Sequence, residues 1–176
     1  MLEQVILIDK DDKQIGQVEK LYAHQLGLLH RAFSVFIYRH AQSKIEYLLQ
    51  KRNKSKYHSG GLWTNTCCGH PRPEEQLEKA AARRLKEEVG INSDLLELSK
   101  YYYKADVGNN LIEHEIDHVF LGQWQGDQII VDPNEIENYR WISPEDLNSE
   151  LLRNPQNFTA WFHGAYNIAN EYKNHI

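Results

Sequence analysis

Sulfur is scarce in this chain of 176 residues, which has two cysteines and one methionine. The cysteines are neighbours, Cys67 and Cys68. A disulfide needs Cα atoms ~4.4–6.8 Å apart and a fixed torsion, so a bridge between adjacent residues would be badly strained and a disulfide framework is excluded. The expected compartment is a reducing one, the cytoplasm. Long apolar runs are also missing. None approaches the ~20 residues of a membrane span, and the mean hydropathy is −0.66. The segment Met1 to Asp9 has no basic stretch ahead of its apolar one, so no signal peptide is expected. Positive charge is in deficit, with 20 Lys and Arg against 25 Asp and Glu, a net charge of −5. That excludes a nucleic-acid binder working by bulk electrostatics, and any anionic ligand must be held by a local basic cluster. Linkers, repeats and low-complexity runs are absent, and the length suits one domain over residues 1–176. What the chain does have is nine histidines, four tryptophans and ten tyrosines.

The pattern alternates strands with a few helices, which predicts an α/β layered fold. Strands are expected at Glu3–Asp9, Gln14–Glu19, Ala32–Tyr38, Glu46–Arg52, Leu95–Lys104 and Glu113–Trp124, with short ones at Ile129–Val131 and Tyr139–Ile142. Lys20 to His30 has no clear period, residues 53–62 read as a basic loop around Gly60-Gly61, and Trp63 to Cys68 reads as extended. The strongest helix signal starts at Pro71 and Pro73, repeats through Leu77, Ala81, Arg84 and Glu88, and stops at Gly90. Ser143-Pro144 is a capping start for another helix, and a last helix is expected from about Asn157 to Tyr172, with Trp161, Ala165, Ile168 and Ala169 on one side.

Four constellations carry possible chemistry. In the extended run Cys67-Cys68-Gly69-His70, alternation puts Cys68 and His70 on one face and Cys67 on the other. Read alone, that is a small buried thiol beside a satisfied histidine. In Glu113-His114-Glu115 the two carboxylates share a face and repel unless a cation lies between them, while His114 faces away. That is either a solvated strand face or part of a metal site. With His24, His30 and His70 these carboxylates make a possible set of three nitrogens and two carboxylates, which suits a divalent transition metal such as Zn, Mn or Fe. Lys20, Arg52, Lys54, Lys56 and Arg84 fall near the same loops, and Arg forks grip phosphate oxygens. For Lys54 a plain surface charge is the simpler reading.

One spacing is more specific. Gly69 is followed after five residues by Glu75, after seven more by Arg83, and then by Leu85, Glu87, Glu88, Gly90 and Ile91. This resembles the Nudix box, a loop–helix–loop whose glutamates hold Mg²⁺ against a diphosphate. Arg84 stands where that family has a glutamate, replacing a metal ligand with a phosphate ligand and removing the usual basis for hydrolysis. Taken with His30-Arg31-Ala32-Phe33-Ser34, Trp63-Thr64-Asn65-Thr66-Cys67-Cys68-Gly69-His70-Pro71, Glu113-x-Glu115 and Tyr139 to Leu147, the chain resembles the type I isopentenyl-diphosphate delta-isomerases, a non-hydrolysing branch of the Nudix fold.

The resemblance implies a mixed β-sheet flanked by helices. It implies Cys68 and Glu115 as catalytic residues with Tyr103 beside the glutamate. It also implies His24, His30, His70, Glu113 and Glu115 as ligands of one transition metal (Mn²⁺ or Zn²⁺), and Glu88 with the backbone carbonyl of Cys68 as ligands of Mg²⁺. Lys20, Arg52, Lys56 and Arg84 would clamp the diphosphate, and Trp161, on a closing helix, would cover the hydrocarbon tail. The substrate would be a small allylic or homoallylic diphosphate, handled by a monomer without nucleic acid or membrane. Moving the double bond by protonation and deprotonation needs an acid and a base on opposite sides of the carbon skeleton, and positive charge near Cys68 is expected to favour its thiolate. The competing readings are a pyrophosphohydrolase on the same fold and a non-catalytic diphosphate- or metal-binding module.

Overall fold

The computed structural model describes residues 3–126 and 128–176; Met1 and Leu2 lie outside them. Among the described residues there are nine strands and four α-helices. Strands β1 (Gln4–Ile8) and β2 (Gln14–Glu19) form an antiparallel hairpin. Helix α1 (Lys20–Leu26) follows at once. The Glu19 carboxylate accepts hydrogen bonds from the Leu21 and Tyr22 amides, and Gly27 ends the helix at φ +60°. Seven residues span about two turns, too few for a readable period, so the sequence does not signal this helix.

The sheet is built on β3 (His30–Ala41), which pairs antiparallel with β1, with β4 (Lys44–Arg52) and with β6 (Cys67–Gly69), and parallel with β8 (Ile112–Gln123). Strand β4 also carries β5 (Trp63–Thr64) and β9 (Ile136–Ile142), and β8 carries β7 (Leu95–Asp106). Helix α2 (Leu77–Val89) covers one face, over Phe33, Val35, Ile37 and Cys67. Helices α3 (Pro144–Arg153) and α4 (Phe162–Glu171) cover the other, over Phe36, Tyr38, Val119 and Leu121. The mixed sheet between helical layers is the α/β architecture expected. No helix among the described residues is long and apolar enough to cross a membrane.

Three expectations need correction. Helix α2 starts at Leu77, several residues after Pro71 and Pro73, because Glu74 adopts φ +66° and breaks helical continuity. Glu75 is then free to grip Arg83 at 2.7 and 2.9 Å. Ile129–Val131 is not a strand; its backbone docks on the end of α2, with the Ile130 amide donating to Val89 O at 3.0 Å. The last helix is interrupted: Pro155–Asn157 is a 3₁₀ turn, and Phe158 and Thr159 are drawn to the sheet edge, where the Thr159 amide donates to Trp63 O at 3.0 Å. Trp161 is therefore the N-cap of α4 and does not lie within it.

Candidate active site

Period-two alternation along three neighbouring strands builds the site on the α4 face. On β3 that face carries His30, Ala32 and Ser34 before turning apolar at Phe36. On β8 it carries Glu113, Glu115 and Asp117 before turning apolar at Val119 and Leu121. The parallel register sets His30 beside Glu115, and the antiparallel register sets Cys68 beside Ser34. Cys67, one residue away, is fully buried in the core under α2. Where the apolar rows stop, a cavity of about 210 Å³ opens.

Of the residues singled out from sequence, Lys20, Arg52, Lys56, Cys68, His70, Arg84, Glu88, Tyr103, Glu113, Glu115 and Trp161 line this cavity. His24 and His30 are completely buried behind it, with ring centroids 4.9 Å apart and the His30 ring 5.0 Å from that of His70. Lys54 is exposed and faces Glu137, outside the cavity. His114 turns away to Tyr102, as alternation requires.

The ligand set that the resemblance implies converges. His30 Nε2 lies 3.1 Å and His70 Nε2 2.9 Å from Glu115 Oε1, and His24 Nε2 lies 3.5 Å from Glu113 Oε1. Donor atoms of His24, His30, His70 and Glu115 lie within 4.8 Å of one another. The Nδ1 atoms of His24 and His30 contact the carbonyls of Lys20 and Leu28, which aims both Nε2 atoms inward. These two Nε2 atoms are buried without a hydrogen bond among the described residues. Buried nitrogens left unpaired beside carboxylates are what an ion would satisfy, so the residues fit a divalent cation.

The charges respond to this crowding. Burial and the charge of Glu113 push Glu115 up to about 7. Burial acts on Glu113 in the same direction, but the close approach of Glu115, His24 and His58 outweighs it and holds Glu113 well below the usual carboxylate range. Burial and the neighbouring His30 hold His70 well below its ordinary value, so it is a neutral imidazole. Tyr103 Oη reaches both carboxylates, at 2.6 Å from Glu115 and 3.0 Å from Glu113. The expectation of a Cys68 thiolate is not met: Arg52 Nη1 is 4.0 Å from Sγ, yet burial outweighs it and pushes the thiol up to about 12.

At the basic end three of the four cations have a carboxylate partner, and Arg52 instead contacts the His58 carbonyl at 3.4 Å. Lys20 pairs with Glu3 at 3.1 Å, Lys56 with Glu135 at 2.5 Å, and Arg84 with the buried Glu88. Gln50 also donates to Glu88, at 2.9 Å. Gly69 lets Arg84 lie close, since a Cβ there would come within 3.3 Å of its Cγ. Trp161 stands across the cavity with the Arg52 guanidinium 5.3 Å from its ring centroid. Its indole donates to Asn65 Oδ1 at 3.2 Å, and its carbonyl accepts from Tyr101 at 2.7 Å.

Sequence reasoning missed several residues of this site, among them Asp117 and His58. Asp117 continues the period-two series of Glu113 and Glu115, so alternation could have found it. His58 sits in the loop over residues 53–62, where no period exists to signal it.

Comparison with known proteins bears on these features. The NUDIX domain family matches residues 28–162. An isopentenyl-diphosphate Delta-isomerase of Photobacterium profundum is 49% identical over 162 residues, covering 91% of this chain and 90% of that protein. The protein of the same name from Serratia proteamaculans is 48% identical over 162 residues, covering 92% and 88%. Among solved structures, DR0079 of Deinococcus radiodurans superposes with a TM-score of 0.75 at 18% identity, covering 97% of this chain and 100% of that one, a likeness of fold.

Proposed function

We infer the reaction from membership and site together: this chain belongs to the NUDIX domain family and, within it, to the isopentenyl-diphosphate Delta-isomerases, and it converts isopentenyl diphosphate into dimethylallyl diphosphate. The substrate is a small-molecule diphosphate, and the site binds divalent metal.

In the mechanism we propose, a proton is added at one end of the three-carbon unit, leaving a tertiary carbocation, and another is removed at the far end. Cys68 and Glu115 are the two proton-transfer groups, on opposite sides of the substrate. The observation that carries this is that both line one cavity, with Tyr103 hydrogen-bonded to Glu115. His24, His30, His70, Glu113 and Glu115 would hold one transition ion (Mn²⁺ or Zn²⁺), and Glu88 with the Cys68 carbonyl would hold Mg²⁺. When bound, the first ion supplies positive charge to the paired carboxylates and the second neutralises the diphosphate. Lys20, Lys56 and Arg84 exchange their carboxylate partners for phosphate oxygens, and Arg52, which has no carboxylate partner among the described residues, joins them, which holds the hydrocarbon tail in register. Trp161 excludes water from the carbocation, and an indole face stabilises a desolvated cation by about 0.5–2 kcal/mol.

We propose a monomer without nucleic-acid or membrane partners, since the net charge of −5 gives no bulk attraction for nucleic acid. We place the chain in a reducing cytoplasm, where a cavity thiol such as Cys68 stays reduced. Arg84, paired with Glu88 in place of the box glutamate, weighs against hydrolysis. Incubation with Mg²⁺ and isopentenyl diphosphate, with the products separated by chromatography, tests the reading. Dimethylallyl diphosphate is expected; release of phosphate, or binding without turnover, overturns it.

A further inference from the structure

Beyond the five-residue ligand set, one more imidazole faces the centre. We infer that His58 is a further ligand of the divalent transition ion, on the Glu113 side, an inference that rests on the metal-site reading above. The loop over residues 53–62 carries it inward until its side chain is only 4% exposed, with Nε2 3.0 Å from Glu113 Oε1. His24 Nε2 approaches the same oxygen at 3.5 Å. Donor atoms of His24, His58 and Glu113 all lie within 4.8 Å of one another. Bonds of ~2.0–2.2 Å to a shared ion put neighbouring donors about 3 Å apart and opposite ones about 4 Å apart, so the spacing suits common ligation.

The orientation agrees. The other ring nitrogen of His58, Nδ1, lies 3.2 Å from Ser59 Oγ, the outer partner that a metal-bound imidazole usually has. The rings of His24 and His58 stack at 5.8 Å, so both present their Nε2 edges together. His24 belongs to this group and also to the one made with His30, His70 and Glu115. One ion at the shared histidine would thus be reached by four imidazoles and two carboxylates, a nitrogen-rich set suited to later first-row metals.

The test uses the chelator-stripped chain reloaded with Co²⁺ alone, for the wild type, His58→Phe (which keeps a ring without a ligand nitrogen) and His58→Gln. The expected result is one Co²⁺ per chain in all three, about 10–100-fold weaker binding in both variants by chelator competition, and a shifted visible Co²⁺ spectrum. A second measurement needs no variant: the paramagnetic proton spectrum of the Co²⁺-loaded wild type should show four shifted imidazole N–H signals. Three such signals, or variants with unchanged affinity and spectrum, would overturn the role of His58 while leaving the metal site standing. A wild type that binds no Co²⁺ through nitrogen would instead overturn the metal-site reading itself.

Discussion

Tyr103 Oη lies 2.6 Å from Oε2 of Glu115, and the same hydroxyl reaches Oε2 of Glu113 at 3.0 Å. One phenolic proton is thus shared between two carboxylates on the same strand face. Burial and the charge of Glu113 hold the Tyr103 phenol well above its ordinary range, so it remains a donor at all working pH values. Tyr103→Phe removes the donor and keeps the ring. Its expected effect is a fall in kcat of about 10–100-fold with KM little changed. Steady-state kinetics checks this, and an unchanged kcat would remove Tyr103 from the mechanism.

The adjacent cysteines give a paired control. Cys68→Ala should abolish turnover and leave diphosphate binding largely intact, because its Sγ faces the cavity. Cys67→Ala should keep activity and cost about 1–2 kcal/mol of stability through a small void under α2. Product assays and denaturant melts of both variants separate the roles; normal isomerisation by the Cys68 variant would contradict them.

Arg84 is a diphosphate ligand in this scheme and holds Glu88 in the free chain. Arg84→Glu loses that cation and sets a second carboxylate beside a buried one. Substrate affinity, measured by calorimetry with Mg²⁺ present, should fall at least tenfold. An unchanged affinity would take Arg84 out of the clamp.

Glu115 makes a pH prediction for the metal-free chain. Its native value is about 7 against an ordinary 4.5, so between these pH values the native state keeps a proton that the unfolded chain has released. Raising the pH through that window therefore costs native stability. Glu115→Gln carries no such proton. In chelator, the variant should gain on the wild type from about pH 4.5 to about 7, and the gap should then level off. A constant gap in urea melts across the window would mean that Glu115 is already ionised.

Much of this arrangement is readable from spacing, because the sheet imposes it locally. Alternation alone puts Cys68 and His70 opposite Cys67, and Glu113 and Glu115 opposite His114, and the structure has both. The cap at Ser143 and the stop at Gly90 are likewise local, the first a side-chain hydrogen bond to the Asp146 amide and the second a φ of +76°. Long-range contacts are not readable in this way. Trp161 leaves the expected helix because Phe158 and Thr159 pair with the distant Trp63 edge, and His58 enters the site through a loop without a period. The Cys68 thiol is misjudged from sequence for the same reason: nearby positive charge is visible in the sequence, but the burial that opposes it is a property of the folded chain.

The most direct test of paired proton transfer is to run the reaction in D₂O with Mg²⁺ and isopentenyl diphosphate, following the five-carbon products by NMR. The account predicts deuterium in the new methyl group of dimethylallyl diphosphate for the wild type, and none for Cys68→Ala or Glu115→Gln. Deuterated product from either variant at the wild-type rate, or product free of deuterium from the wild type, would contradict it.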